Sequence, residues 1–323
     1  MTEVVLPLYT IQMKFARILS ILSGFVLLTA ALIYSFMYFN QESSSLTREV
    51  LSQAPGKFVS LRYGLVHYRL EGPDTAKLIL FIPGGGVSGC EVFEKIIPEF
   101  QQKGFRTLTY DLYGRGYSAR PSVANSPELF EEQLTQLLDT LQISGPLHIV
   151  STSMGAIVAT DFIVHRPEKV DKVVFIDPSL TGQFKTNALL RIPVLSDFLM
   201  TVYWYPKAVE NQRKEFVSKE VFEVYKGRLI YFMDFKGYKH SNYSTWMHML
   251  NQNKMPLLSK IEQNKILLLY GDKDPYFGTP NKAVFKSHYP SLQIKEILQA
   301  GHLPHLEKPA PVNQEILTFL KQF

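Results

Sequence analysis

The chain has one cysteine in 323 residues, Cys90. That excludes an intrachain disulfide and any cysteine-rich metal cluster. Charge of one sign is not concentrated anywhere. The formal net charge is +5 with a pI of about 9.0, and the lysines and arginines are dispersed. With no basic cluster interleaved with aromatics, nucleic acid is not indicated as a partner. The excess of positive charge permits attraction to anionic lipid without requiring it. Phosphate-binding loops are missing too. Gly84-Gly85-Gly86 follows an apolar run, but its spacing fits neither G-x-G-x-x-G nor G-x-x-x-x-G-K-[ST]. There is no internal repeat, no low-complexity tract and no metal-ligand motif. The sequence therefore implies no cofactor and no metal.

What is there begins with a long apolar run. Ile18 to Phe39 is 22 residues without a charge. As a helix rising about 1.5 Å per residue it spans roughly 33 Å, enough for a bilayer core. A signal peptide has a shorter apolar region and a small-residue cleavage site. Here Phe36-Met37-Tyr38-Phe39 is bulky, so the run reads as an uncleaved single-pass anchor. Tyr34, Tyr38 and Phe39 fall where aromatics prefer to sit, near an interface. Lys14 and Arg17 precede the run, while Arg48, Lys57 and Arg62 lie beyond it. The adjacent pair orients the N-terminus to the cytoplasm and the rest of the chain to the extracytoplasmic side. Residues 40–56 are polar and serine-rich and end in Ala54-Pro55-Gly56, which reads as a tether.

Beyond the tether, short strand-like runs alternate with helix-like ones. Lys57 to Leu61 and Leu65 to Leu70 form two strands broken at Tyr63-Gly64. Leu78 to Ile82, His148 to Val150, Lys172 to Ile176 and Lys265 to Tyr270 are apolar enough to be buried strands. Leu292 to Leu298 is a further strand, and Pro311 to Leu320 a final helix. Residues 181–262 lack strand alternation, carry helical patterns such as Lys214 to Tyr225, and hold both tryptophans, Trp204 and Trp246. Phe198, Tyr203, Tyr205, Phe232, Phe235 and Tyr238 lie there as well. Most of these aromatics are expected to form the segment's own core. The remainder lean toward an apolar pocket.

The chemistry-bearing segment is His148-Ile149-Val150-Ser151-Thr152-Ser153-Met154-Gly155-Ala156. A strand runs into small residues and a helix, Ala156 to His165, follows at once. Ser153 stands at the apex of that turn, with small residues two positions either side. Such a turn lifts the hydroxyl off the sheet edge and aims the first helix amides at it. A serine there can also be a plain helix cap. For a base the last eighty residues offer His288, His302 and His305. A carboxylate partner is available in Gly271-Asp272-Lys273-Asp274-Pro275, at the C-terminal end of a strand, where ligand sites of open α/β sheets lie. The order is serine, aspartate, histidine.

With these residues the chain resembles the α/β-hydrolases, over about 57–323. Three more segments carry the resemblance. Leu78 to Ile82 runs into Pro83-Gly84-Gly85-Gly86, where the family usually has His-Gly-x. Tyr110-Asp111-Leu112-Tyr113-Gly114-Arg115-Gly116-Tyr117-Ser118 matches the D-x-x-G-x-G-x-S loop. Gly301-His302 through Glu307 and Pro309 matches the G-H-x-x-x-x-E-x-P ending. The resemblance implies a mostly parallel eight-stranded sheet flanked by helices, with the helical segment 181–262 as a cap and the N-terminal run as a transmembrane helix. It divides the chain into a tail 1–17, an anchor 18–39, a linker 40–56, a core 57–180 and 263–323, and the cap. It implies Ser153 as nucleophile, His302 as base and Asp274 as orienting acid, with Asp272 and His305 as competitors. The backbone amides of Gly85 and Met154 would form the oxyanion hole. Asp111 would be structural, and Cys90 either packs or lines the pocket mouth. Two residues depart from the pattern: Ser151 replaces the first glycine of G-x-S-x-G, and Pro83 replaces the histidine before Gly84.

The implied function is a membrane-anchored serine hydrolase that cleaves carboxylic esters of hydrophobic, lipid-like acyl groups, similar to the monoacylglycerol-lipase-like branch. The same triad also serves carbon–carbon bond hydrolases, aminopeptidases and acyltransferases, and a non-catalytic ligand-binding member is the alternative from another class. Partners are a small hydrophobic ester and the bilayer. The sequence does not set the oligomeric state.

Overall fold

Four strands of nearly pure apolar sequence set the centre of the molecule. The computed structural model describes residues 5–321 except 87, 88 and 183. Its strands are β1 (Lys57–Leu61), β2 (Gly64–Glu71), β3 (Leu78–Ile82), β4 (Arg106–Tyr110), β5 (Leu147–Thr152), β6 (Val170–Ile176), β7 (Ile266–Gly271) and β8 (Gln293–Ile297). They form one eight-stranded sheet in the order β1-β2-β4-β3-β5-β6-β7-β8. The β1–β2 and β2–β4 pairs are antiparallel and the rest parallel. Strands β3, β5 and β7 are buried along their whole length. A parallel strand covered on both faces has no polar side to present, hence sequences such as Leu-Ile-Leu-Phe-Ile.

Alternation sends successive side chains to opposite faces. Leu80 and Ile82 join one core cluster, and Ile79 and Phe81 the other. The helices in chain order are α1 (Val5–Phe39), α2 (Arg48–Gln53), α3 (Ile97–Gln102), α4 (Pro127–Thr140), α5 (Gly155–His165), α6 (Pro193–Leu199), α7 (Ala208–Arg213), α8 (Lys219–Met233), α9 (Tyr238–His248), α10 (Gly278–His288), α11 (Pro304–Glu307) and α12 (Pro309–Leu320). Side chains of α4, α5 and α10 cover the first face, and those of α3 and α12 the second. Helices α6 to α9, with a π-helical turn at Met200–Trp204, fill the interval between β6 and β7. The helix anticipated at Lys214 to Tyr225 starts later, because Ser218 caps α8 by accepting from the Val221 amide.

Helix α1 is longer than the uncharged run. Its stretch Ile11–Phe39 is long and apolar enough to cross a membrane, and none of its apolar window is buried. The segment after it is more than a tether. Ser43 Oγ donates to Asp234 Oδ1 at 2.8 Å, and Ser44 Oγ bonds the other oxygen of the same carboxylate. The backbone of Ser44 bridges that of Phe235. Glu42 accepts from the Gly237 and Lys239 amides at 3.1 and 2.5 Å, covering the exposed donors at the start of α9. The serine-rich composition that reads as flexible instead bonds the residues at the end of α8 and the start of α9.

Register decides where the site forms. Thr152 pairs with Ile176, and Ile176 with Leu269. The strands β5, β6 and β7 therefore end side by side, and the residues just past them, Ser153, Asp177 and Asp274, gather at one carboxyl edge of the sheet.

Candidate active site

Ser153 has φ +51°, in the left-handed region that is costly for a residue with a Cβ. The turn survives because the helix start lies hard against the sheet. A Cβ on Gly155 would sit 2.5 Å from Ile82 O and 2.6 Å from Pro83 O, so glycine is required there. Ser151, the departure from the family pattern, is fully buried in β5, and its Oγ has no hydrogen-bond partner among the described residues. The extra hydroxyl is accommodated without moving the turn.

Ser153 Oγ lies 3.0 Å from His302 Nε2, and His302 Nδ1 lies 2.9 Å from Asp274 Oδ2. Asp274 also accepts the Tyr276 amide at 2.8 Å. The Tyr276 ring stands perpendicular to the imidazole, 5.1 Å between centroids. Burial opposes a charged imidazolium, yet the Asp274 carboxylate carries His302 up to about 9. Burial likewise opposes the carboxylate, but His302 draws Asp274 down to about 2. The competitors lie elsewhere. Asp272 accepts the Ala300 amide and pairs with Lys273. His305 is fully buried against Phe93, and burial together with His302 pushes it down to about 3. Neither ring nitrogen of His305 has a partner among the described residues.

The histidine loop is held from two sides. The Glu307 carboxylate accepts the Gly301 amide at 2.6 Å and the Ser218 amide at 2.6 Å, joining the loop to the start of α8. The His302 amide donates to Glu215 O at 2.8 Å. A Cβ on Gly301 would lie 2.1 Å from Glu215 O, which is why the histidine follows a glycine.

Gly85 lies beside Met154: a Cβ there would be 3.7 Å from Met154 Sδ. The amides of both residues make no hydrogen bond among the described residues. Arg115 braces the turn at Gly85. Its Nε donates to Gly85 O at 2.9 Å, one Nη to Gly114 O and the other to Thr245 Oγ1 of the cap at 3.0 Å. It is 1% exposed, faces three neutral acceptors, and burial lowers it to about 10. Sequence reading assigned no role to Arg115, Glu307 or Asp177. Each lay inside or beside a motif already noted, but its role depends on what folds against it.

Asp111 organises the neighbouring loop, accepting the Cys90 and Tyr117 amides at 2.7 and 2.8 Å and pairing with His67 at 2.8 Å. Cys90 is buried there and its thiol is pushed up by burial, so it packs and does not line the main cavity. That cavity, about 720 Å³, has Ser153, His302 and Gly85 among its walls on the core side and Trp204, Tyr238 and Trp246 on the cap side. Phe232, Phe235 and Tyr205 pack into the core cluster on the second face of the sheet.

The profile of the alpha/beta hydrolase fold family matches residues 77–309. The chain belongs to that family and is a hydrolytic enzyme. It is 23% identical over 280 residues to carboxylesterase YbfK of Bacillus subtilis (strain 168), covering 81% of this chain and 86% of that one. It is 25% identical over 262 residues to the sn-1-specific diacylglycerol lipase ABHD11 of Mus musculus, covering 78% and 83%. Among solved structures, the enol-lactonase from Burkholderia xenovorans LB400 superposes with a TM-score of 0.68 at 16% identity, over 82% of this chain and all of that one.

Proposed function

We propose that this protein is a membrane-anchored serine hydrolase that cleaves small carboxylic esters with apolar acyl groups. The observation that carries the reading is the continuous relay from Ser153 Oγ through His302 to Asp274, at 3.0 and 2.9 Å. His302 Nε2 takes the Ser153 proton as Oγ attacks the ester carbonyl. Asp274 stabilises the imidazolium. The Gly85 and Met154 amides receive the oxyanion, and Arg115 keeps Gly85 in place. His302 returns its proton to the leaving alcohol, and a water activated by the same nitrogen releases the acyl group. The aromatic cap wall, residues such as Trp204 and Trp246, supports an apolar acyl group. We read 181–262 as that cap, 57–180 and 263–323 as the core, and 18–39 as the membrane span.

An apolar helix with no face buried in protein has little reason to stay in water, which supports the anchor. Lys14 and Arg17 before the span support a catalytic domain on the extracytoplasmic side. The test is labelling by a fluorophosphonate probe in detergent-solubilised membranes, wild type beside Ser153→Ala. Labelling lost in the variant supports an activated serine. Equal labelling of both refutes the assignment. A series of p-nitrophenyl esters then reads the acyl preference, which should rise from acetate to longer chains.

A further inference from the structure

The end of β6 places a second carboxyl beside the relay. Asp177 is 1% exposed and has φ +45°, a backbone strain that the surrounding structure must hold in place. Its amide donates to Leu269 O at 2.9 Å, and its Oδ1 accepts the Gly271 amide at 3.1 Å. Its Oδ2 has no partner among the described residues apart from what faces it: one oxygen of Asp177, one of Asp274 and a ring nitrogen of His302 all lie within 4.8 Å of one another. Two buried carboxyls this close, beside one histidine, favour a state in which only one of them is ionised. A buried carboxylate oxygen without a donor is costly, whereas a protonated one becomes a donor to its neighbour. The groups acting on Asp177 are Asp274 and Glu307, both acids, which add to the effect of burial in pushing it well up.

We propose that Asp177 is a positioning residue of the site: it stays protonated, donates a hydrogen bond to Asp274, and becomes the ionised partner of His302 when the Asp274 charge is removed. The inference rests on the reading of Ser153, His302 and Asp274 as the reacting relay. In the resting enzyme the proton on Asp177 orients Asp274 toward His302 Nδ1. In an Asp274→Asn variant the repulsion that keeps Asp177 neutral disappears. Asp177 then loses its proton to solvent and supplies the negative charge that the imidazolium needs.

The experiment compares kcat/KM for a p-nitrophenyl ester among wild type, Ser153→Ala, Asp177→Asn, Asp274→Asn and the double variant, with melting curves to check folding. Asp177→Asn keeps a donor to Asp274 and should lose only a few-fold. Asp274→Asn should lose about 10- to 100-fold. The double variant should lose on the order of 10⁴-fold, as expected when the orienting charge is gone altogether. In addition, Asp274→Asn activity should rise with pH as Asp177 ionises, and this rise should vanish in the double variant. Equal kcat/KM for Asp274→Asn and the double variant, with Ser153→Ala inactive, would overturn the role of Asp177 alone. Ester hydrolysis that survives Ser153→Ala would overturn the relay and this role together. If the double variant does not fold, infrared spectroscopy of the wild type decides. A carboxylic-acid C=O stretch at neutral pH that Asp177→Asn removes supports the proposal, and its absence refutes it.

Discussion

Glu307→Gln should destabilise the protein and slow it, from one contact pair. The carboxylate accepts two backbone amides, Gly301 and Ser218, each at 2.6 Å. Hydrogen bonds to a charged group contribute about 1.5–3 kcal/mol each, against about 0.5–1.5 kcal/mol for neutral ones. Glutamine keeps one acceptor oxygen and turns an NH₂ toward the other amide. One charge-assisted bond is downgraded and the second becomes a donor–donor contact, so the net cost is about 2–4 kcal/mol after relaxation. A domain of this size loses roughly 2–4 °C in Tm per kcal/mol, so the melting temperature should fall by roughly 4–16 °C. The catalytic effect follows from geometry. Gly301 and the cap strand of contacts at Glu215 hold the loop that carries His302, and a shift of about 1 Å in a reacting group can cost about 10²-fold. We expect kcat to fall by about that factor with KM little changed. Differential scanning fluorimetry and ester kinetics measure both. Unchanged Tm and kcat would refute the claim that Glu307 couples the histidine loop to the cap.

Other outcomes follow from the same geometry. Because His302 must be neutral to accept the serine proton and is carried up to about 9, the acid limb of kcat/KM should lie above the ordinary histidine value of about 6.5; a limb at or below that value would contradict the pairing with Asp274. The raised His302 stabilises the fold fully below its unfolded value and loses that contribution as pH rises through about 9, whereas the contribution of Asp274 is lost as pH falls through about 2; unfolding free energies across pH read both signs. Gly155→Ala drives a Cβ into two backbone oxygens at 2.5 and 2.6 Å and should cost at least the roughly 1–3 kcal/mol of an overpacked core, seen as a lower denaturation midpoint. Glu42→Ala leaves the amides at the start of α9 without their acceptor and should cost about 1 kcal/mol, with faster limited proteolysis in 181–262; an unchanged cleavage rate would mean the segment after α1 does not hold residues 181–262.

Much of this protein could be read in one dimension. The apolar strands are local: five buried residues such as Leu78 to Ile82 cannot lie anywhere but in a covered sheet, and their spacing sets the fold. The strand–serine–helix turn is legible as well, because only a small residue survives where a Cβ on Gly155 would lie 2.5 Å from Ile82 O. Ser153, Asp274 and His302 could be ordered along the chain, and so could the apolar N-terminal run. Choosing Asp274 over Asp272 and His302 over His305 rested on spacing within motifs, and their distances come only from the alignment of β5, β6 and β7. The rest is long-range. Arg115 meets Gly85 and Thr245, partners 30 and 130 residues away, so nothing near it in sequence tells what it braces. Residues 40–56 read as a linker because serines and a glutamate suit water, but Asp234 and the open amides of α9 give Glu42 and Ser43 something better to bond. Asp177 ends a strand like many aspartates, and only the neighbouring strand, 94 residues on, brings Asp274 against it. Local composition determines which segments can be strand, turn or membrane helix, since those choices depend on burial and backbone sterics over a few residues. The charge state and bracing of a site depend on which groups share its low-dielectric interior, and that is decided only when the sheet closes and the cap docks.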